Sequence, residues 1–173
     1  MKAKLVQASL GLVGLGAALM IGTISPTEIN AQRSPLVTGG ASANFGAITL
    51  QGGFMPDPHM HAVTSGGNID VSPFTLAPGC RGFVTAQPDV VFHYNGPASF
   101  IRFFVRAAGD TTLVINDGAG HWHCDDDSGG GTNPMVDLRS PPGGQYDIWV
   151  GSYRSGQQVR GELGITELSS QRP

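Results

Sequence analysis

The stretch 121–134, reading HWHCDDDSGGGTNP, gathers two histidines, a cysteine, three consecutive carboxylates, a serine and a glycine run. Asp125, Asp126 and Asp127 repel one another, and a hard cation with oxygen ligands is one way to relieve that repulsion. In an extended segment Asp125 and Asp127 project to one side and Asp126 to the other, so the three converge only where the chain turns. Backbone carbonyls of the glycine run, the side chain of Asn133 and the carboxylate of Asp117 are then expected to supply the remaining oxygens of a calcium site. The spacing matches neither an EF-hand nor a nonapeptide calcium repeat, and a solvated acidic turn competes with the calcium reading.

Asp127-Ser128-Gly129-Gly130 matches the last four letters of the G-D-S-G-G nucleophile motif of trypsin-like proteases, with Asp126 where the first glycine belongs. That chemistry needs a histidine base and a buried aspartate held between two β-barrels. The chain has five histidines, none in a T-A-A-H-C context, and is short for a double barrel. A serine peptidase is therefore the alternative and a non-catalytic protein the expectation. Trp122 and Trp149, with Tyr146 and Tyr153, form a sugar-stacking platform only if they share one exposed face; otherwise Tyr146 is core and the tryptophans cap the sandwich edges. A carbohydrate-binding module is the corresponding alternative. His59 and His61, two apart, share a strand face either as a metal pair or as solvent-facing side chains.

At the N-terminus, Lys2 and Lys4 precede an apolar run to about Ile24, followed by polar residues and a small residue at Ala31. This is the layout of a secretory signal peptide over residues 1–31, with a retained anchor as the competing reading. Past Ala31 there are 8 basic residues, all arginine, against 12 acidic ones. The arginines are scattered, so nucleic acid is excluded as the expected partner. With an export signal and two cysteines, Cys80 and Cys124 are expected to form one disulfide in an oxidising compartment, buried free thiols being the alternative. A zinc site built from both cysteines with His121 and His123 lacks the usual paired spacing.

The elements that position these residues read as strands. With 26 glycines and 12 prolines the apolar residues fall in short runs, and no apolar spacing of three and four is sustained over three turns. Residues 100–107 alternate most clearly, with Ile101, Phe103, Val105 and Ala107 inward and Arg102 and Arg106 outward. Residues 60–64 and 68–71 flank Ser65-Gly66-Gly67 as a hairpin. The expectation is all-β: a single β-sandwich of jelly-roll type with eight or nine short antiparallel strands over residues 44–168. A flexible leader, 32–43, precedes it and a disordered tail, 169–173, follows.

The succession Asp110-Thr111-Thr112-Leu113-Val114-Ile115-Asn116, a D-G turn, Asp125-Asp126-Asp127, Asn133-Pro134 and Gly144-Gln145-Tyr146-Asp147-Ile148-Trp149-Val150-Gly151 resembles the bacterial pre-peptidase C-terminal domain. That resemblance spans about residues 80–167. It implies a small jelly-roll sandwich of the kind appended to secreted proteases, here without a protease domain before it. The function expected is a secreted, periplasmic or cell-surface accessory module, calcium-stabilised in one reading, with no membrane span after signal cleavage. Its partner would be an extracellular protein or a polysaccharide.

Overall fold

Alternating and β-branched runs separated by glycine- and proline-bearing turns fold into eleven strands and no helix in the computed structural model, which describes residues 34–173. The expected signal segment lies outside the described residues. The strands are β1 (Ala47–Gln51), β2 (His59–Thr64), β3 (Ile69–Asp70), β4 (Phe83–Val84), β5 (Val90–Asn95), β6 (Phe100–Ala107), β7 (Thr111–Asn116), β8 (Trp122–Asp125), β9 (Met135–Arg139), β10 (Gly144–Ser152) and β11 (Arg160–Thr166). Two of them, β3 and β4, have only two residues each, which is why the turn spacing suggested fewer.

The strands form an all-β sandwich. One sheet orders β2-β11-β6-β9, and the other is centred on β10, which pairs with β5 and β4 along one edge and with β7 along the other. β8 extends this second sheet beyond β7, and β1 extends it beyond β5. All pairings are antiparallel except β1 with β5, which runs parallel. Among the described residues no helix is long and apolar enough to cross a membrane.

Period-two alternation sends Phe92, Tyr94, Ile101, Phe103, Val105, Leu113, Ile115, Tyr146, Ile148 and Val150 into the space between the sheets, all buried. Phe92, Phe103 and Tyr146 form its aromatic centre, with ring centroids 5.5–5.7 Å apart. A second apolar cluster covers the outer face of the β10 sheet: Val114 and Trp149 pack beneath Leu36, Val71 and Val84, with Cys80 and Cys124 against them. β10 is therefore buried on both faces, and Asp147 and Trp149, which alternate away from the inner core, are covered all the same.

Four expectations change. The 60–64 and 68–71 runs do not form a hairpin: β2 pairs with β11 in one sheet and β3 with β4 in the other. Their link crosses between sheets, with the Ser65 N–H donating to Val159 O and the Gly66 N–H to Val150 O. A Cβ on Gly67 would stand 1.9 Å from the Val84 carbonyl carbon, so this crossing requires glycine. Residues 34–43, expected as a flexible leader, are held instead. Leu36 is buried, the Val37 N–H donates to Ala86 O, and the Gly39 N–H donates to the Asp147 carboxylate at 2.7 Å.

The tail at 169–173 is likewise tied down: Arg102 faces outward from the inner core as expected, and it lies buried beneath the tail. The Arg102 guanidinium donates to the carbonyls of Ser169 and Gln171 and grips Asp137. Lastly, Trp149 is fully buried, with Trp122 tilted against it at 5.6 Å between centroids. No ligand can stack on Trp149, so the two tryptophans make no sugar platform.

Candidate functional site

β8 and β9 are the outer strands of their respective sheets on the same side of the sandwich, and among the described residues no strand closes the seam between them. At one end of this seam the β7–β8 turn faces the β9–β10 turn across a cleft of about 690 Å³, lined by Asp117, His121 and His123 on one wall and Asp137, Arg139 and Pro142 on the other. Ser140 also lines it and, at φ 50°, is the one non-glycine residue with positive φ among the described residues.

Asn116-Asp117-Gly118 makes the turn that the sequence signals, and Asp117 organises it. Its Oδ1 accepts the N–H groups of Ala119 and His121, each at 2.9 Å, while its own N–H donates to His121 O. Oδ2 points the other way, to His123 Nε2 at 2.9 Å and His121 Nδ1 at 3.5 Å. Residues 121 and 123 share this direction because strand neighbours two apart project to one face, whereas Trp122 and Cys124 turn into the outer apolar cluster. The Asp117 side chain is 4% exposed. Burial pushes its carboxyl up, but the hydrogen bonds from His123 and from the N–H groups of His121 and Ala119 outweigh that and hold it below the usual carboxylate range.

The acidic loop lies at the other end of β8. Asp125, Asp126 and Asp127 bring one oxygen each within 4.8 Å of the others. The other two residues expected in a calcium set are elsewhere: Asp117 is occupied in its own turn, and Asn133 Oδ1 accepts the N–H of Ala107. Asp125 itself is committed, with Oδ1 accepting the Ser128 hydroxyl at 2.6 Å and Oδ2 accepting the N–H groups of Ser128 and Met135. Asp126 faces Arg81 at 3.6 Å. Burial and the neighbouring carboxylates push the Asp126 carboxyl up while Arg81 draws it down, and the balance is a raised value. The five residues therefore do not assemble a calcium cage; what assembles is a turn closed by Asp125, with a partial carboxylate cluster on its surface.

Ser128 sits in this turn with its hydroxyl donated to Asp125, and no histidine is hydrogen-bonded to it. The trypsin-like motif thus lacks the base that would activate its serine. The disulfide is formed as expected: Cys80 and Cys124 are bonded, fastening the segment over the outer face of the β10 sheet to β8. His59 and His61 lie on β2, where His61 Nε2 is 2.8 Å from Phe45 O.

Sequence reasoning placed Asp117 with the acidic loop and weighed His121 and His123 alongside the cysteines, not with Asp117. The H-x-H spacing four residues after Asp117 was the available signal for their grouping. The β9 wall, with Asp137 and Arg139, had no local signal, because it reaches the cleft only through the pairing of β9 with β6. No family model, curated protein or solved structure matches this chain.

Proposed function

We propose that this chain is a secreted or periplasmic, non-catalytic β-sandwich module that binds an extracellular protein or polysaccharide through the cleft between the β7–β8 and β9–β10 turns. The resemblance to pre-peptidase C-terminal domains points the same way, toward an accessory or cell-surface interaction role. The observation that carries the reading is the cleft itself: about 690 Å³, open to solvent, and lined by the charged and polar side chains of Asp117, His121, His123, Asp137 and Arg139, with Asp117 buried and fixing its turn. The disulfide agrees with an oxidising compartment.

Two experiments test this. The full chain expressed with a periplasmic readout is expected to appear with its mass reduced by residues 1–31, and unprocessed protein retained in the cytoplasm would count against export. The exported protein, displayed against arrays of bacterial polysaccharides and of extracellular peptides, is expected to bind a subset. That binding should fall at least tenfold with His121→Ala or Arg139→Ala and stay with Arg154→Ala, which lies in a different surface depression. Array binding that ignores both cleft substitutions would move the interaction elsewhere.

A further inference from the structure

We propose that Asp117, His121 and His123 form a binding site for a borderline-soft divalent cation, of which zinc is the representative. This stands independently of what the cleft captures as a module and differs in both place and ligand chemistry from the acidic loop.

The donor set comes first. Asp117 Oδ1 is saturated by two backbone N–H groups, so the carboxylate is locked in orientation and only Oδ2 is offered to the cleft. Both nitrogens nearest that oxygen are imidazole nitrogens, His123 Nε2 at 2.9 Å and His121 Nδ1 at 3.5 Å. Among the described residues no lysine or arginine is paired with it: Arg102 is engaged by Asp137, and Arg139 lines the opposite wall of the cleft. The nearest partners of this nearly buried carboxylate oxygen are two imidazole nitrogens, with His123 donating to it, so one oxygen and two nitrogen ligands line one wall of the cleft, and a cation bound there would take the place of that hydrogen bond.

The two distances to Oδ2 are close to those between ligands of one cation. Metal–ligand bonds of about 2.0–2.2 Å at tetrahedral angles put neighbouring donor atoms roughly 3.3–3.5 Å apart. The His121 nitrogen already stands at that separation from Oδ2, and the His123 nitrogen has to retreat by a few tenths of an ångström, exchanging its hydrogen bond for a metal bond. The trio is not closed as it stands. Among the described residues only the three acidic-loop carboxylates lie mutually within 4.8 Å, so His121 must turn toward His123. Its side chain is 74% exposed. The cleft leaves the fourth position to water or to an incoming ligand.

Two nitrogens and one carboxylate select zinc, copper or nickel over calcium and magnesium, which prefer all-oxygen shells. The cysteines do not compete, since both are consumed in the disulfide.

The test is titration of the untagged, chelator-stripped full chain with zinc chloride by calorimetry, with cobalt substitution read by visible absorption. The expected result is one ion per chain, a tetrahedral cobalt spectrum, and an affinity unchanged by excess calcium. His121→Ala, at an exposed position that leaves the turn intact, should weaken binding at least tenfold, and so should His123→Ala. Asp126→Asn in the acidic loop and His59→Gln at the other histidine pair should leave affinity within twofold. Absence of binding would overturn the proposal, as would binding that survives His121→Ala or that is lost with Asp126→Asn or His59→Gln. Array binding by the cleft is a separate readout, so either assignment can fail while the other stands.

Discussion

Arg102 holds both oxygens of Asp137 at once, Nε to Oδ1 at 2.6 Å and Nη2 to Oδ2 at 2.7 Å, while its remaining Nη1 reaches the carbonyls of Ser169 and Gln171. One buried guanidinium thus ties the cleft wall on β9 to the C-terminal segment beyond β11. Asp137 keeps its side chain 41% exposed, so the pair is half in water and the fork geometry matters more than the bare charge.

Replacing Arg102 with alanine is expected to cost roughly 2–3 kcal/mol, from the lost charged hydrogen bonds and the volume vacated. Arg102→Lys should recover only part, because an ammonium cannot make the fork. The accompanying sign is release of residues 169–173, measured as faster trimming by carboxypeptidase at a temperature where both proteins stay folded.

On the outer face of the other sheet, Phe104 lies flat over Gly164, its register partner on β11, beneath the guanidinium of Arg106. A Cβ on Gly164 would meet the Phe104 ring at 2.2 Å, and the ring is fully buried. Gly164→Ala should therefore destabilise by about 2–3 kcal/mol through overpacking. Phe104→Leu in the same chain should restore part of that loss, a coupling read from a double-mutant cycle of denaturant midpoints.

Alternation along β5, β6, β7 and β10 was legible because one face of each packs on a single apolar core. Alternation cannot say whether the opposite face is also covered. Phe104, Arg102, Asp147 and Trp149 all point away from the inner core and all are buried, the last three beneath segments whose docking depends on long-range contacts. Leu36 shows the same limit from the other side, since a lone leucine in a small polar stretch gives no periodic signal. The failed 65–67 hairpin has a different cause: a glycine pair permits a tight turn and a crossing equally, and the choice rests with the partners β11 and β4. In the site, the Asp117 turn was readable locally, whereas the facing wall depended on strand pairing.

Asp89 makes stability pH-dependent. It is buried, accepting from Asn44 Nδ2 and the Val150 N–H, and burial lifts its carboxyl from 3.8 to about 6 against the pull of those hydrogen bonds. The folded state therefore binds this proton more tightly than the unfolded one. Its contribution to stability is full below about pH 4 and is lost as pH rises through about 6. The change is at most about 3 kcal/mol by the usual conversion of pKa to free energy. Asp89→Asn loses one acceptor and should be less stable than the parent at pH 4, with the gap narrowing by pH 7. A gap that stays constant across this range would show that Asp89 does not titrate there.

The Cys80–Cys124 bond closes a loop with a sequence separation of 44, worth about 4 kcal/mol in the chain-entropy model. Alkylation without reduction is expected to add no mass. The Cys80→Ser, Cys124→Ser double variant should melt well below the parent while keeping its inner core, whose residues do not include either cysteine.

In the acidic loop the prediction separates three chemistries. Asp125 receives three hydrogen bonds, from the Ser128 hydroxyl and from the N–H groups of Ser128 and Met135, so it closes the turn on itself. Asp125→Ala should cost more than Ser128→Ala, roughly 2–3 against 0.5–1 kcal/mol, since it strands two backbone donors where the serine change removes one exposed bond. With Asp125 engaged and Asp126 facing Arg81, Asp127 alone of the three loop carboxylates has no protein partner among the described residues, too few oxygens to draw calcium from water. Millimolar calcium should then move the melting temperature by less than about one degree, against the several degrees that a hundredfold excess over a dissociation constant produces in a domain of this size. A fluorophosphonate probe should leave Ser128 unlabelled, because its hydroxyl is donated to a carboxylate with no imidazole in reach. A calcium shift of several degrees abolished by Asp127→Asn would restore the metal reading of this loop. Stoichiometric labelling of Ser128 would instead make the loop a nucleophile site.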